Sequence, residues 1–515
     1  MNSVKHRAEA FDPTRTNARG KTTGDGGEKT QRRIPKEKMG GGASATSRGY
    51  RTRRDAGRSV LLYLLPVLGT LCLGGYVLQA SVDVVYSDYI RLINSYLPDP
   101  LAPEHFFVPD ILTRIPITYL IRFLNIHLFG FSVHFDRALS LLGLLLLMLS
   151  VSAYLRRERA GILTVLAVML LGFSLDKWEL LLNGSGCAHF LSYGLFFYHY
   201  LVLERAFTGT EKPGDERRLV LLPWLALLVA GPYLVQYAVT LLLAYGYLAV
   251  LHNRQLKARR LSGYALSALL PLILYLMSNA SATYDYVGTK DIGLLTVLQQ
   301  HLGFSLRFLL DGFASTLVSG SVLEDFLAAG HIQYYEIYLL GALVILLYLL
   351  ALGLYFRTGQ YRRTIFPMLL LVSGAGSHVL VFLSRYIYFT ETYAWQSRYG
   401  LQYLPGTLGL LLIYGYAVRV FRAQHEKRVV ARAGLVLSIF VLLFFMGASC
   451  YTDKREMDVA PFRKMYFETI AESARNYENL SDDELNVIFE YHHGAGKVRH
   501  ALDILKENHW NVFRE

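Results

Sequence analysis

The chain has 515 residues, is 53% hydrophobic and only 18% charged, and carries a formal net charge of +12. Apolar runs this long and this free of charge exclude an ordinary soluble domain and specify an all-α polytopic membrane protein. The first 58 residues hold 15 Lys or Arg against 6 Asp or Glu; ahead of a span, such a tail marks the cytoplasmic side of the bilayer and argues against a nucleic-acid partner.

Residues 1–58 contain almost no large apolar side chains, so they cannot bury enough surface to offset ordering entropy and are expected to form a disordered cytoplasmic tail. The run 59–80 is long enough to span, and the basic region before it is too long for a cleaved leader, so it reads as a signal anchor. A polar stretch, 81–134, follows as a first external loop. Further apolar runs recur at 138–155, 161–175, 187–203, 219–232, 234–251, 261–277, 337–356, 365–383, 401–418 and 433–446, which with the anchor makes about eleven spans by hydropathy. Every second connection is basic, from Arg156, Arg157 and Arg159 through to Arg419, Arg422 and Lys427. The N-terminus is therefore expected inside and the C-terminus outside. Gly231-Pro232 separates two of the runs, which form either two spans or a re-entrant hairpin.

Within a second large external loop, 278–336, the segment 291–329 carries Gln299, His301, Arg307 and Asp311 and is expected to form interfacial helices. Residues 59–450 make the transmembrane domain and 451–515 a small external helical tail, expected to pack on the outer mouth. In that tail Ser481-Asp482-Asp483-Glu484 predicts a capped helix start, and 497–507 a second helix. His492, His493, His500 and His509 have no ligand spacing and read as surface residues. Cys72, Cys187 and Cys450 form neither a metal pattern nor a disulfide framework.

Acidic groups gather just after the first span: Asp83, Asp88, Glu104 and Asp110, with His105 and Arg114 among them. A site beside lipid suits a donor that is a lipid-linked phosphate. Sugar transfer from it requires a carboxylate to take the acceptor hydroxyl's proton and cations to stabilise the departing phosphate.

The layout, a long first external loop with an acid, further spans and an external C-terminal part, resembles the GT-C superfamily of membrane glycosyltransferases. Ser87-Asp88-Tyr89-Ile90 and Pro103-Glu104-His105-Phe106-Phe107-Val108-Pro109 look like the Asp-Tyr and Glu-His…Pro pattern of a bacterial branch, and Ser397-Arg398-Tyr399 like its Ser-Arg-Tyr before a late span. Pro103, Phe106 and Asp110 depart from that pattern. The resemblance implies a GT-C-like bundle, a polyprenyl-phosphate sugar donor, a cell-envelope glycan acceptor and a bacterial plasma membrane location.

On this reading Asp88 is the base; the alternative is a cap on a loop helix starting near Tyr89. Glu104 and His105 bind acceptor hydroxyls or assist the base, or are simply solvated. Arg398, with Tyr399 beside it, holds the donor phosphate, or else pairs with Glu391 or snorkels; Arg385 follows the same logic. A divalent cation is compatible with the loop but not demanded. Arg137 is expected to pair with neighbouring Asp136, and His189, His199 and His378 to be hydrogen-bonded structural residues. The rivals are a polymerase or ligase using polyprenyl diphosphate-linked glycan, dependent on several arginines, and a lipid or solute transporter, with ionisable groups in mid-membrane.

Overall fold

With no water in the hydrocarbon layer, an apolar run must satisfy its own backbone N–H and C=O groups. The computed structural model describes residues 44–103, 115–251, 258–280, 287–424 and 429–514, and no strand occurs among them. The chain divides into two units, Met1–Asp55 and Ala56–Glu515; everything below concerns the second. Among the described residues eight helices are long and apolar enough to cross a bilayer: Gly57–Ala80, Val133–Arg157, Tyr233–Val250, Arg260–Ala280, Tyr334–Arg357, Phe366–Tyr388, Ser397–Gln424 and Val429–Arg475. The chain is thus a multi-pass membrane protein. Leu302–Ser315 and Gly320–Ala328, bent by 107° at their junction, make a ninth crossing if they act as one broken span.

Three of the runs read as spans are helical but differ in kind. Ile162–Gly172 has 11 residues and Asp215–Val229 has 15, so at about 1.5 Å per residue neither reaches across about 30 Å of hydrocarbon. Cys187–Thr208 is long enough at 22 residues, but its histidines and tyrosines make it too polar for the same criterion. It lies buried against Val133–Arg157. Gly231, at φ +51°, with Pro232 breaks Asp215–Val229 from Tyr233–Val250.

Close helix approach is bought with glycine where it matters most. Gly374 of Phe366–Arg385 faces Gly406 of Gly400–Gln424, and a side chain on either would meet the other's backbone. Gly406→Val is therefore expected to destabilise by about 1–3 kcal/mol or more, the range for overpacking, read as a lower unfolding temperature of the detergent-solubilised protein.

At the other end of Cys187–Thr208, the buried Asp215 carboxylate accepts a two-pronged bond from Arg205 (2.7 and 2.8 Å), one from Arg218 (2.7 Å) and one from the Lys212 amide (2.9 Å). Burial alone would raise its pKa, but these donors hold it down at about 2, below the ordinary 3.8. A depressed folded value means that the stabilisation is complete above pH 3.8 and is lost as pH falls through about 2. Asp215→Asn is expected to flatten that acid limb of a thermal-stability profile.

Val429–Arg475 is one helix of 47 residues, about 70 Å long and more than twice the thickness of the hydrocarbon layer. It runs unbroken through position 451, where the sequence suggested a domain boundary. In its polar half, buried Glu456 accepts from Arg463 (2.8 Å) and pairs with Arg455 of the same helix, while Arg455 reaches across to Asp325 (2.7 Å). Asp453 fastens it sideways, accepting from Ser174 Oγ (3.0 Å) and the Leu175 amide (2.7 Å).

The tail carries the two expected helices. Ser481 caps Asp482–Ile488 reciprocally with Glu484, and Ala495–Glu507 follows. The tail docks on the loop after the first span. Asn94 Nδ2 donates to Lys497 O (2.9 Å), the Ser87 amide to Phe489 O (2.7 Å) and Asn511 Nδ2 to Asp83 Oδ1 (3.1 Å).

Candidate functional site

Where the first-loop helix Asp88–Tyr96 meets the tail, a cavity of about 420 Å³ opens between them and the bundle. Asp88, Arg385, Arg398 and Tyr399 all line it. The four come from three separate parts of the chain: the loop helix, the end of Phe366–Arg385, and the short turn Ser397–Tyr399. Glu104 and His105, with Asp110 and Arg114, lie outside the described residues.

Asp88 is the first residue of its helix, with Ser87 in the cap position and no capping bond from the Ser87 side chain. A carboxylate in the first turn of a helix is favoured by the helix dipole. The Asp88 side chain is exposed and makes no hydrogen bond or ion pair among the described residues. Its neighbour Tyr89 is fully buried and donates to Asp136 Oδ2 (2.7 Å), which also accepts from Arg122 Nη2 (2.6 Å). Asn125 Nδ2 reaches Asp136 Oδ1 at 3.3 Å. One buried ionic network thus fixes the helix that presents Asp88.

This corrects the expected Asp136–Arg137 pair. Adjacent residues on a helix point about 100° apart and do not face each other. Arg137 turns instead to the carbonyls of Leu182 (2.7 Å) and Val82 (2.8 Å). Asp83, beside the anchor, accepts from Ser132 Oγ (2.7 Å) and the Val133 amide (2.6 Å), tying the loop to the start of Val133–Arg157.

Across the cavity, Arg398 pairs with Glu179 at 2.7 Å, not with Glu391. Glu391 is occupied by Arg307 (2.7 Å) and by the Tyr338 hydroxyl (2.8 Å). The Arg398 side chain remains 45% exposed, so its guanidinium is held toward the opening without being buried. Ser397 Oγ donates to Asp176 O (2.7 Å), locking the arginine-bearing turn to the segment that carries Glu179. Arg385 Nε donates to the Tyr399 hydroxyl (2.7 Å), which aims both at the same space.

Several lining residues carried no signal in the sequence. Glu179 and Arg463 sit in helical segments, and Glu490 in the turn after Asp482–Ile488, where a charged residue ordinarily reads as solvated surface. Arg463 lies over the Trp178 ring, 3.2 Å from its centroid. His189 also lines the cavity, edge-on to Tyr233 with ring centroids 4.5 Å apart. Of the other two helix histidines, His199 contacts the Tyr237 hydroxyl, as a structural residue would. His378 departs from expectation: it is sandwiched between the rings of Phe313 (3.8 Å) and Tyr403 (3.9 Å) and has no hydrogen bond among the described residues.

Burial pushes the Tyr86 phenol well above its ordinary value, so at neutral pH it stays protonated. Among the described residues no group of three or more His, Cys, Asp and Glu side chains converges as a metal centre would need. The cavity joins a solvated carboxylate on one side to two guanidiniums on the other. That arrangement can take a proton from a hydroxyl and stabilise an oxyanion in the same space. Comparison with protein-family models, curated proteins and solved structures finds no match to this chain.

Proposed function

We propose that the protein is an integral membrane glycosyltransferase of GT-C type. It moves a sugar from a polyprenyl-phosphate donor to a cell-envelope glycan at the outer face of a bacterial plasma membrane. The single observation that carries this reading is that Asp88 and Arg398, 310 positions apart in the sequence, line one cavity with Arg385 and Tyr399.

In this mechanism Asp88 accepts the proton of an acceptor hydroxyl as its oxygen attacks the anomeric carbon. The bond from that carbon to the phosphate oxygen breaks, and the polyprenyl phosphate leaves with the electron pair. Arg398 and Arg385 take up the charge that develops on the phosphate. Glu179 holds Arg398 in place before the donor arrives. One base suffices for such an inverting displacement, as in glycoside chemistry where a carboxylate activates the incoming oxygen. The test is to supply reconstituted protein with radiolabelled polyprenyl-phosphate sugars and an envelope glycan fraction, and to compare the wild type with Asp88→Asn.

One observation favours a second reading, a transporter. Asp311, on the bent pair of helices, is fully buried, and among the described residues neither carboxylate oxygen has a hydrogen-bond partner. Ionisable groups at such positions commonly mark ion or solute paths. Solute flux lost in Asp311→Asn, with no sugar transfer from any lipid donor, would establish the transporter instead.

A further inference from the structure

The tail contributes a side chain to the cavity that the transfer chemistry above does not use. Glu490 lines it together with Asp88 of the loop helix, and Glu490 Oε1 accepts from the Tyr466 hydroxyl at 2.8 Å. Its Oε2 makes no bond among the described residues. The placement is built at some cost. Ser87 and Glu490 both hold left-handed backbone conformations without being glycine, at φ +52° and +49°. One of the bridges between their segments lies here, the Ser87 amide donating to Phe489 O at 2.7 Å, next to Glu490. Strain of this kind persists only where the surrounding structure over-determines it, and it gathers at binding and catalytic sites. Here it turns Asp88 and Glu490, one residue beyond each end of the bridge, into the same space.

Around them the cavity is aromatic. Tyr86 meets Phe467 edge-on with centroids 5.1 Å apart, and Tyr466 adjoins Phe467. Formal charge is balanced, with Asp88, Glu179 and Glu490 against Arg385, Arg398 and Arg463. Arg385 and Arg398, however, lie on the bundle and Arg463 is already paired with Glu456, while Asp88 and Glu490 stand on the adjoining loop helix and tail. An anionic ligand on that side would meet two carboxylates. A neutral, hydroxyl-rich ring would meet a free acceptor oxygen and flat apolar faces, the mixture that small polar ligands require.

Resting on the glycosyl-transfer reading, we infer that Glu490, oriented by Tyr466, is the acceptor-recognition residue and binds a hydroxyl of an uncharged saccharide beside Asp88. The tail is thereby part of the substrate site, and Asp88 and Glu490 divide the work: one activates the attacking hydroxyl, the other holds a neighbouring one.

The test separates binding from turnover. Full-length protein in lipid nanodiscs is titrated with maltotetraose, cellotetraose and chitotetraose, following tryptophan fluorescence, since Trp178 lines the cavity. At least one saccharide is expected to bind. Glu490→Gln, which keeps the oxygen that accepts from Tyr466, is expected to weaken that binding by about ten-fold or more, the loss typical of a hydrogen bond to a charged group. Asp483→Asn, at an exposed tail carboxylate that does not line the cavity, is expected to leave it within about two-fold. No binding of any of the three to the wild type, or binding indifferent to Glu490→Gln, would overturn the inference. So would a Glu490→Gln protein whose acceptor KM is unchanged while kcat falls, because Glu490 would then act in the chemical step. A chain that binds saccharide through Glu490 yet transfers no sugar rejects the transfer reading and leaves the recognition role standing.

Discussion

Asp88→Asn is expected to lower sugar transfer from a polyprenyl-phosphate donor by about 10²–10⁴-fold, the usual contribution of a positioned general base. The substitution keeps shape and removes only the capacity to take a proton. Asp88 is exposed and bonded to nothing among the described residues, so folding and expression should not change. Donor binding should also persist, because Arg398 and Arg385 stand on other segments. The expected pattern is thus a fall in kcat with the donor KM nearly constant. Transfer unaffected by Asp88→Asn but abolished by Arg385→Ala and Arg398→Ala together would point to the ligase chemistry, in which the cations matter more than a base.

The second large effect is structural. Arg122→Ala is expected to destabilise the protein by about 3–5 kcal/mol, because it strands a charge in the interior. Arg122 and Asp136 are 1% and 0% exposed, so solvent cannot replace the lost partner. The same network holds Tyr89, so surviving protein should present Asp88 less well and lose activity beyond its loss of folded population. Thermal unfolding measured beside the specific activity of the folded fraction checks both parts. Replacing Arg122 and Asp136 together with apolar residues should recover much of the stability, since the pair's desolvation cost disappears with it.

How much of this was legible beforehand differs by level. The helical class and most apolar helices follow from composition and run length, because a bilayer allows the backbone few other choices. The Ser481 capping box and the helix after it were equally readable, since both depend on residues three or four apart. Span count was less so. Cys187–Thr208 and Ile162–Gly172 owe their character to neighbours that bury them, and a hydropathy window does not see neighbours. At the site, Asp88 stood out because it follows the first span closely, in an acidic stretch and an Asp-Tyr pattern, and Arg398 because it is an arginine away from the basic connections, in a Ser-Arg-Tyr. Glu179 and Glu490 did not, since each lies in a polar stretch where a carboxylate is ordinary. Their place comes from contacts such as Ser87 with Phe489, across some four hundred residues, which no local pattern encodes.

The helix Val429–Arg475 enters the bundle as an apolar rod and ends as a wall of the cavity, carrying Arg463, Tyr466 and Phe467 there. A helix whose apolar half lies in lipid tilts when the hydrocarbon layer thins or thickens. Between that half and the three cavity residues stand Asp453, bonded to Ser174 and the Leu175 amide, and Pro461, which interrupts the backbone ladder. A change of tilt therefore reaches the site only by working against those two bonds.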